Sequence, residues 1–137
     1  MIRTYEQCIC FLFAKANQKA QAIMKKRLKP YKLTGVQILV LEALWENNNL
    51  TAGELARSLT LDNATLSGVL DRLSDAEWVT KETASDDKRA VRVQLSHKAQ
   101  EHHDTLFEIR EEVNRELLQG LTPEEVMLFK RFLADVR

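Results

Sequence analysis

The sequence predicts a mainly α-helical protein with a single β-hairpin. Gly and Pro are scarce, at 4 and 2 of 137 residues, which argues against the many turns of an all-β fold. Several long stretches carry apolar residues at helical spacing and begin with residues that cap helices. A chain of this length fits one domain spanning residues 1–137.

Helix starts are marked by capping boxes, in which a first side chain accepts from a free backbone N–H and a fourth reaches back to the cap. The pattern occurs at Thr4 with Gln7, Thr34 with Gln37, Thr51 with Glu54, and Thr122 with Glu125. Asp62 and Ser96 are further caps before apolar-periodic stretches. These signals predict helices over residues 5–28, 35–46, 52–58, 63–76, 97–119 and 123–135.

The β signal lies between the fourth and fifth predicted helices. Residues 78–82 and 90–95 are rich in β-prone side chains, and Val91, Val93 and Leu95 alternate with polar residues. A charged, polar tip covers residues 83–89. This pattern predicts a two-stranded hairpin with one face in the core.

Composition excludes several classes of protein. No apolar run approaches the roughly 20 residues that span a bilayer, and the N-terminus lacks a signal-peptide pattern. Two cysteines close together do not make a disulfide framework, so we expect a cytoplasmic protein without a membrane partner. Because there is no glycine-rich phosphate loop, nucleophile motif or metal-ligand spacing, the sequence predicts no enzyme activity, no cofactor and no metal.

The zero net charge hides a strong asymmetry along the chain. Residues 1–34 hold eight bases and one acid, whereas residues 99–137 hold five bases and nine acids. The two ends therefore carry +7 and −4. Both can be solvated helix faces, or they can lie against each other within one chain or between two chains.

The two helices at 52–58 and 63–76 are joined by the short corner Leu59-Thr60-Leu61. In the second helix Leu66, Val69, Leu70 and Leu73 form one buried stripe. The opposite face offers small and hydrogen-bonding residues at its start, which suits entry into a DNA major groove. Those residues are Asn63, Ala64, Thr65, Ser67 and Gly68, followed by Asp71 and Arg72. The alternative is an amphipathic helix whose outer face meets water.

The sequence resembles the MarR family of winged-helix transcriptional regulators. The resemblance rests on residues 61–67 (LDNATLS), 70–73 (LDRL), 87–89 (DKR) and 93–96 (VQLS), and it covers essentially the whole chain. It implies a winged helix-turn-helix over residues 34–96, with dimerisation helices over 1–33 and 97–137. One departure is Glu77, where many members carry Gly at the turn into the wing.

The resemblance also implies a function. Thr65, Ser67 and Arg72 should touch DNA from the recognition helix, and Arg89 should enter the minor groove with Asp87 orienting it. We include Thr51, Asn63, Ala64, Gly68 and Lys88 among the expected DNA contacts. The implied protein is a homodimeric regulator, by default a repressor, that binds a pseudo-palindromic operator in double-stranded DNA. The alternative is a winged-helix module that binds protein and not DNA.

Dimerisation by the terminal helices would use their apolar side chains. The candidates are Leu106, Ile109, Val113, Leu117, Phe129, Phe132 and Leu133. In such a dimer the basic residues 1–34 and the acidic residues 99–137 would lie against each other.

Two kinds of signal can release such a regulator from DNA. Cys10 with Phe11 and Leu12 resembles the surroundings of the reactive cysteine in the one-Cys, peroxide-sensing branch of the family, although Ala14 and Met24 stand where that branch has tyrosines. On the predicted helix over residues 5–28, Cys8 and Cys10 point to opposite sides, so they should not bridge each other without unwinding the helix. The plain alternative is that they are buried small hydrophobes.

The second kind of signal is a small aromatic or apolar acid bound near the dimer helices. Candidate pocket residues are Leu12, Ala16, Tyr31, Trp45 and Phe107, each of which can equally be plain core. His97, His102 and His103 are expected to be solvated or interfacial and not metal ligands.

Overall fold

The computed structural model describes residues 1, 3–83 and 90–137, and it divides the chain into two compact units. The first unit comprises residues 1–27 and 108–137, and the second comprises residues 28–107. The helices are α1 (Ile9–Leu28), α2 (Gly35–Glu46), α3 (Ala52–Leu59), α4 (Asn63–Asp75), α5 (His97–Glu101), α6 (His103–Leu117) and α7 (Pro123–Asp135). The strands are β1 (Leu50–Thr51), β2 (Val79–Thr83) and β3 (Val91–Leu95).

Three of the four capping boxes are confirmed, at the starts of α2, α3 and α7. At each one the threonine hydroxyl oxygen accepts from the backbone N–H three residues on, at 3.1 to 3.2 Å. The prediction at Thr4 is wrong, because Thr4 is already the first residue of a 3-10 turn over Thr4–Gln7. There the backbone N–H of Arg3 donates to Glu6 Oε2 at 3.0 Å instead.

Two predicted helices are interrupted. The helix expected over residues 5–28 becomes a 3-10 turn followed by α1, because Cys8 adopts an extended backbone with φ −74 and ψ 116. The helix expected over residues 97–119 is divided at His102 into α5 and α6. Apolar periodicity runs on across both interruptions, and so it could not reveal them.

The predicted hairpin is part of a three-stranded antiparallel sheet in the order β1-β3-β2. β2 pairs with β3 from Val79 opposite Leu95 to Thr83 opposite Val91, and Leu50 of β1 lies opposite Val93. Asn48 reinforces this edge, because its side-chain oxygen accepts from the backbone N–H of Leu95 at 2.9 Å. The short β1 therefore ties the start of α3 to the base of the hairpin.

The second unit has its own hydrophobic core. All four residues of the predicted stripe on α4 are buried, between 0 and 6% exposed, and Trp78 is buried beside them at 2%. Helix α2 adds Ile38, Val40, Leu41 and Leu44. This core fixes which side of α4 faces outward.

The first unit buries very little apolar surface. Among its described residues, Val113 is the one hydrophobic residue classed as buried. By contrast, α7 exposes Met127, Leu128, Phe129, Phe132 and Leu133, Val136 is exposed just after it, and α1 exposes Ile9, Leu12 and Phe13. The dimer contacts expected at Leu106 and Val113 are wrong in detail, because both side chains are already buried within the chain, at 0 and 3% exposed.

Candidate nucleic-acid interface

The corner between α3 and α4 is a tight helix ending built on Thr60. Thr60 has φ 54, in the left-handed region, and its backbone N–H donates to the carbonyl of Arg57 at 3.3 Å. The N–H of Leu61 donates to the carbonyl of Ala56 at 2.9 Å. These two bonds form a Schellman motif, which stops α3 abruptly and lets the chain turn into α4.

Asp62 caps α4, as predicted, and engages Thr65 twice. Its Oδ1 accepts from the backbone N–H of Thr65, and its Oδ2 accepts from the Thr65 hydroxyl, both at 2.7 Å. The pKa of the Asp62 carboxyl is lowered from its ordinary value, mainly because the Thr65 N–H donates to it and next because the Thr65 hydroxyl does. The hydroxyl that we expected to face DNA is therefore held in a fixed position by the cap.

The outward face of α4 carries the residues that the sequence singled out. Asn63, Ala64, Thr65, Ser67 and Arg72 are exposed, and Gly68 is half-buried. Thr51 lies half-buried at the N-cap of α3, where its hydroxyl oxygen accepts from Glu54.

An open groove of about 340 Å³ runs beside this face. It is lined by Ala52 and Gly53 at the start of α3, by Asn63, Ser67 and Asp71 of α4, and by Lys81 and Val91 of the sheet, over Leu66 and Leu70. The structure thus brings the first turn of α3, the outward face of α4 and the hairpin base to one surface.

An ion pair that the sequence analysis did not identify crosses this surface. Lys81 Nζ of β2 donates to Asp71 Oδ1 of α4 at 2.5 Å, and the two side chains are 32% and 60% exposed. Asp71 was noted on the outward face, but a partner ten residues away on a strand produces no periodic signal. The pair joins the recognition helix to the hairpin.

The chain passes from α4 into the hairpin of β2 and β3, which is the wing, through a second Schellman motif at the end of α4. Glu77 has φ 61, the left-handed conformation that favours glycine. This agrees with the departure noted at Glu77, where a glycine would be unstrained. The wing tip residues Asp87, Lys88 and Arg89 lie outside the described residues, so the expected minor-groove contact stays a prediction.

Both cysteines are exposed, which overturns the interpretation of them as buried small hydrophobes. Cys8 precedes α1, and its carbonyl accepts the N–H of Leu12 at 3.0 Å, as an N-cap residue does. The pKa of the Cys8 thiol is lowered because the backbone N–H groups of Phe11 and Cys10 donate to its sulfur, and the Cys10 thiol adds a side-chain hydrogen bond. The expectation that the two side chains diverge assumed that Cys8 is helical, and that assumption is wrong because Cys8 has an extended backbone before α1.

The expected effector-pocket residues are distributed over both units. Leu12 and Ala16 lie exposed on α1 in the first unit. In the second unit the Trp45 ring meets His103 edge-on, with 4.9 Å between centroids, and Phe107 lies 6.2 Å from the same histidine. Tyr31 meets His102 at 5.9 Å. His102 and His103 are half-buried among these aromatic rings and are not simply solvated.

The chain is similar to known regulators. The MarR family model matches residues 33–91. The organic hydroperoxide resistance transcriptional regulator of Bacillus subtilis is 30% identical over 91 residues, which is 66% of this chain and 62% of that protein.

Two solved structures extend the similarity to the whole chain. A probable transcriptional regulator from Pseudomonas aeruginosa has a TM-score of 0.91 at 26% identity, covering 97% of this chain and 99% of the other. A cysteine-to-serine mutant of MarR from E. coli, complexed with operator DNA, has a TM-score of 0.86 at 27% identity, covering 98% and 99%. The prediction of a winged helix-turn-helix transcriptional regulator is confirmed, and residues 33–91 match the model of the MarR family.

Proposed function

We propose that this chain binds double-stranded DNA sequence-specifically as a homodimer and regulates transcription, by default as a repressor. The observation that carries the proposal is the exposed face of α4, whose small and polar side chains line an open groove with the start of α3. Small side chains let the helix backbone approach base edges, and hydroxyl and amide groups can exchange hydrogen bonds with them. The DNA-bound MarR mutant from E. coli supports this use of the fold.

The DNA contacts follow from position and charge. We assign base contacts to Asn63, Ala64, Thr65, Ser67 and Gly68, because they occupy the first two turns of α4. Thr51, Arg72 and Lys88 are assigned to the phosphate backbone. Arg89, oriented by Asp87, is assigned to the minor groove, where its negative potential favours arginine.

The homodimer is supported by the apolar surface of the first unit. Among its described residues, this unit buries one hydrophobic residue of its own and exposes eight large ones on α1 and α7, so most of its burial comes from a partner. A second copy is the partner that a two-fold symmetric operator requires. The contacts are assigned to Phe129, Phe132 and Leu133, with the half-buried Ile109 and Leu117 beside them.

Release from DNA is assigned to an oxidant or to a small ligand. For the oxidant, Cys10 is exposed, and the neighbouring Cys8 has a lowered thiol pKa because Phe11 and Cys10 donate to its sulfur. The similarity to a regulator of organic hydroperoxide resistance supports an oxidant signal.

For the small ligand, an aromatic or apolar acid is assigned to the candidate residues of the second unit, Tyr31, Trp45 and Phe107. The indole N–H of Trp45 is buried and has no acceptor among the described residues. It offers a donor that a carboxylate could accept from.

The test is selection from random duplexes followed by footprinting. We expect a pseudo-palindrome whose half-sites lie roughly 10 to 10.5 bp apart, with affinity that falls steeply as salt rises. Arg72→Ala and Arg89→Ala should each weaken binding markedly, whereas Arg137→Ala, which removes an exposed arginine at the C-terminus, should not. If no duplex is enriched, or if neither Arg72→Ala nor Arg89→Ala changes DNA affinity, the protein-interaction module replaces this proposal.

A further inference from the structure

The pair formed by Asp71 and Lys81 lies on the surface assigned to DNA, and a carboxylate there needs an explanation. Asp71 is 60% exposed on the outward face of α4. It follows Asn63 and Ser67 at helical spacings of four, and all three line the same groove. A bare carboxylate facing a polyanion would weaken binding to every sequence equally.

Lys81 removes that general penalty. Its ammonium contacts Asp71 Oδ1 at 2.5 Å, so the pair carries no net charge where it meets the groove. The contact uses one of the three N–H donors of the lysine and one of the two carboxylate oxygens. Among the described residues, no donor engages the other oxygen, Oδ2.

A neutralised carboxylate with a free oxygen on a recognition helix has a defined hydrogen-bonding preference. In the major groove, cytosine presents an amino group as a donor, and aspartate and glutamate are the side chains that accept from it. Guanine presents only acceptors and thymine presents an acceptor and a methyl group, so both leave the oxygen unpaired. Adenine has an amino donor, but its N7 acceptor lies beside that donor and repels a carboxylate, which favours cytosine.

We propose that Asp71 is a base-reading residue that selects cytosine at one position of each half-site, and that Lys81 is the positioning residue that holds its carboxylate. The inference rests on the DNA-binding function proposed above. Asp71 lies eight residues after Asn63, about 12 Å along the helix. The selected cytosine therefore lies to one side of the bases read by the first turn of α4.

The experiment compares base preferences selected from random duplexes by the wild type, Asp71→Asn and Asp75→Asn. Asp75 is an exposed acid one turn further along α4, so its variant loses the same charge from the same helix. We expect the wild type to bind roughly tenfold more weakly per half-site when the cytosine is replaced. Asp71→Asn should lose this preference or shift it to adenine, which asparagine reads, while Asp75→Asn should keep it.

Two variants of Lys81 test the positioning role. Lys81→Met should weaken binding to all duplexes and reduce the cytosine preference, because the carboxylate loses its neutralising partner and its fixed pose. Lys81→Arg keeps the positive charge, so it should retain both the DNA affinity and the cytosine preference of the wild type. If the pair only braces α4 against β2, Asp71→Asn should lower the melting temperature and leave the base preferences unchanged.

The outcomes separate this inference from the function on which it rests. If the wild type selects an operator and Asp71→Asn selects the same bases at every position, Asp71 does not read a base and the inference is overturned. The same holds if Asp71→Asn and Asp75→Asn raise affinity equally for all sequences, because the effect is then general charge repulsion. If the wild type selects no operator, the proposed function fails, and the inference with it.

Discussion

The backbone N–H of Trp78 donates to the carbonyl of Leu73 at 2.8 Å, across the end of the recognition helix α4. The N–H of Glu77 donates to Ser74 at 3.0 Å, and together these bonds complete a Schellman motif. Both Leu73 and Trp78 are buried, at 0 and 2% exposed. This motif fixes the direction in which the chain leaves α4 for the wing, with Glu77 at its left-handed position.

Replacing the left-handed residues at the two Schellman motifs should stabilise the protein. Glu77→Gly and Thr60→Gly should each raise the free energy of unfolding by about 1 kcal/mol or less, because glycine adopts a positive φ without a Cβ clash but loses more chain entropy. The gain should be larger at Thr60, since β-branched side chains tolerate this region poorly. Urea unfolding measures the change. Glu77→Gln, which keeps the Cβ, should show none, and a destabilised Glu77→Gly would contradict the strain argument.

Titration of Asp62 should report its two bonds to Thr65. The Asp62 pKa lies below its ordinary value of 3.8, mainly because the Thr65 N–H donates to the carboxylate and next because its hydroxyl does. Because the pKa is lowered on folding, the cap stabilises the fold at pH values above the ordinary pKa. This stability is lost as the pH falls through the pKa of Asp62 in the folded protein. Carboxyl carbon shifts measured by NMR should show the pKa rising in Thr65→Ala and staying low in Thr65→Ser. Equal values in both variants would show that the hydroxyl is not involved.

Cys8 should react as a thiolate at a lower pH in the folded chain than in the unfolded chain. Its pKa lies below the ordinary 9.0 because the N–H groups of Phe11 and Cys10 donate to the sulfur at the start of α1. In the Cys10→Ser variant, Cys8 is the one remaining cysteine. Its iodoacetamide alkylation rate should therefore rise at a lower pH in buffer than in denaturing urea. Coincident profiles would mean that the helix start does not activate this thiol.

Mild organic hydroperoxide should distinguish the two cysteines as sensors. Mass spectrometry of the treated wild type should locate the modification at Cys10, the position that resembles the reactive cysteine of the one-Cys branch, or at Cys8, whose pKa is lowered by Phe11 and Cys10. DNA affinity should fall with the modification, and the Cys8→Ser, Cys10→Ser double variant should stay bound. An unmodified wild type with intact affinity would remove the redox signal and leave the small ligand.

The exposed apolar face of α7 should hold the dimer together. Phe132 is 53% exposed, and Phe132→Glu should shift the protein toward monomer because it places a charge in an interface that otherwise buries the ring. Sedimentation velocity measures the change, and the melting temperature of the wild type should rise with protein concentration. Lys130→Gln, an exposed polar change on the same helix, serves as the control. A dimer unaffected by Phe132→Glu would place the interface elsewhere.

Local signals predicted much of the interface. Each helix cap bonds to a backbone N–H three residues further on, so it could be identified without any tertiary contact. These caps are Thr34, Thr51, Asp62 and Thr122. The buried stripe of α4 follows from helical periodicity alone, and it fixes the outward direction of Asn63 and Ser67. The resemblance to the MarR family rests on the same short stretch, residues 61–73, together with the wing.

Features that depend on distant partners could not be predicted in this way. The strand β1 has two residues, Leu50 and Thr51, and is recognisable because it pairs with Val93 and Arg92. The division at His102 accompanies its ring contacts with Tyr31 and Trp78, at 5.9 and 5.4 Å. Both residues lie far from it in sequence.

The sequence by itself determined the helical class, the helix-turn-helix with its hairpin and the side of α4 that faces outward, because capping and periodicity are encoded over a few residues. The tertiary structure decided that Lys81 neutralises Asp71. It also decided that Leu106 and Val113 are core and not interface. These outcomes depend on which elements pack together, because pairwise electrostatics and burial are set by that packing and not by spacing along the chain.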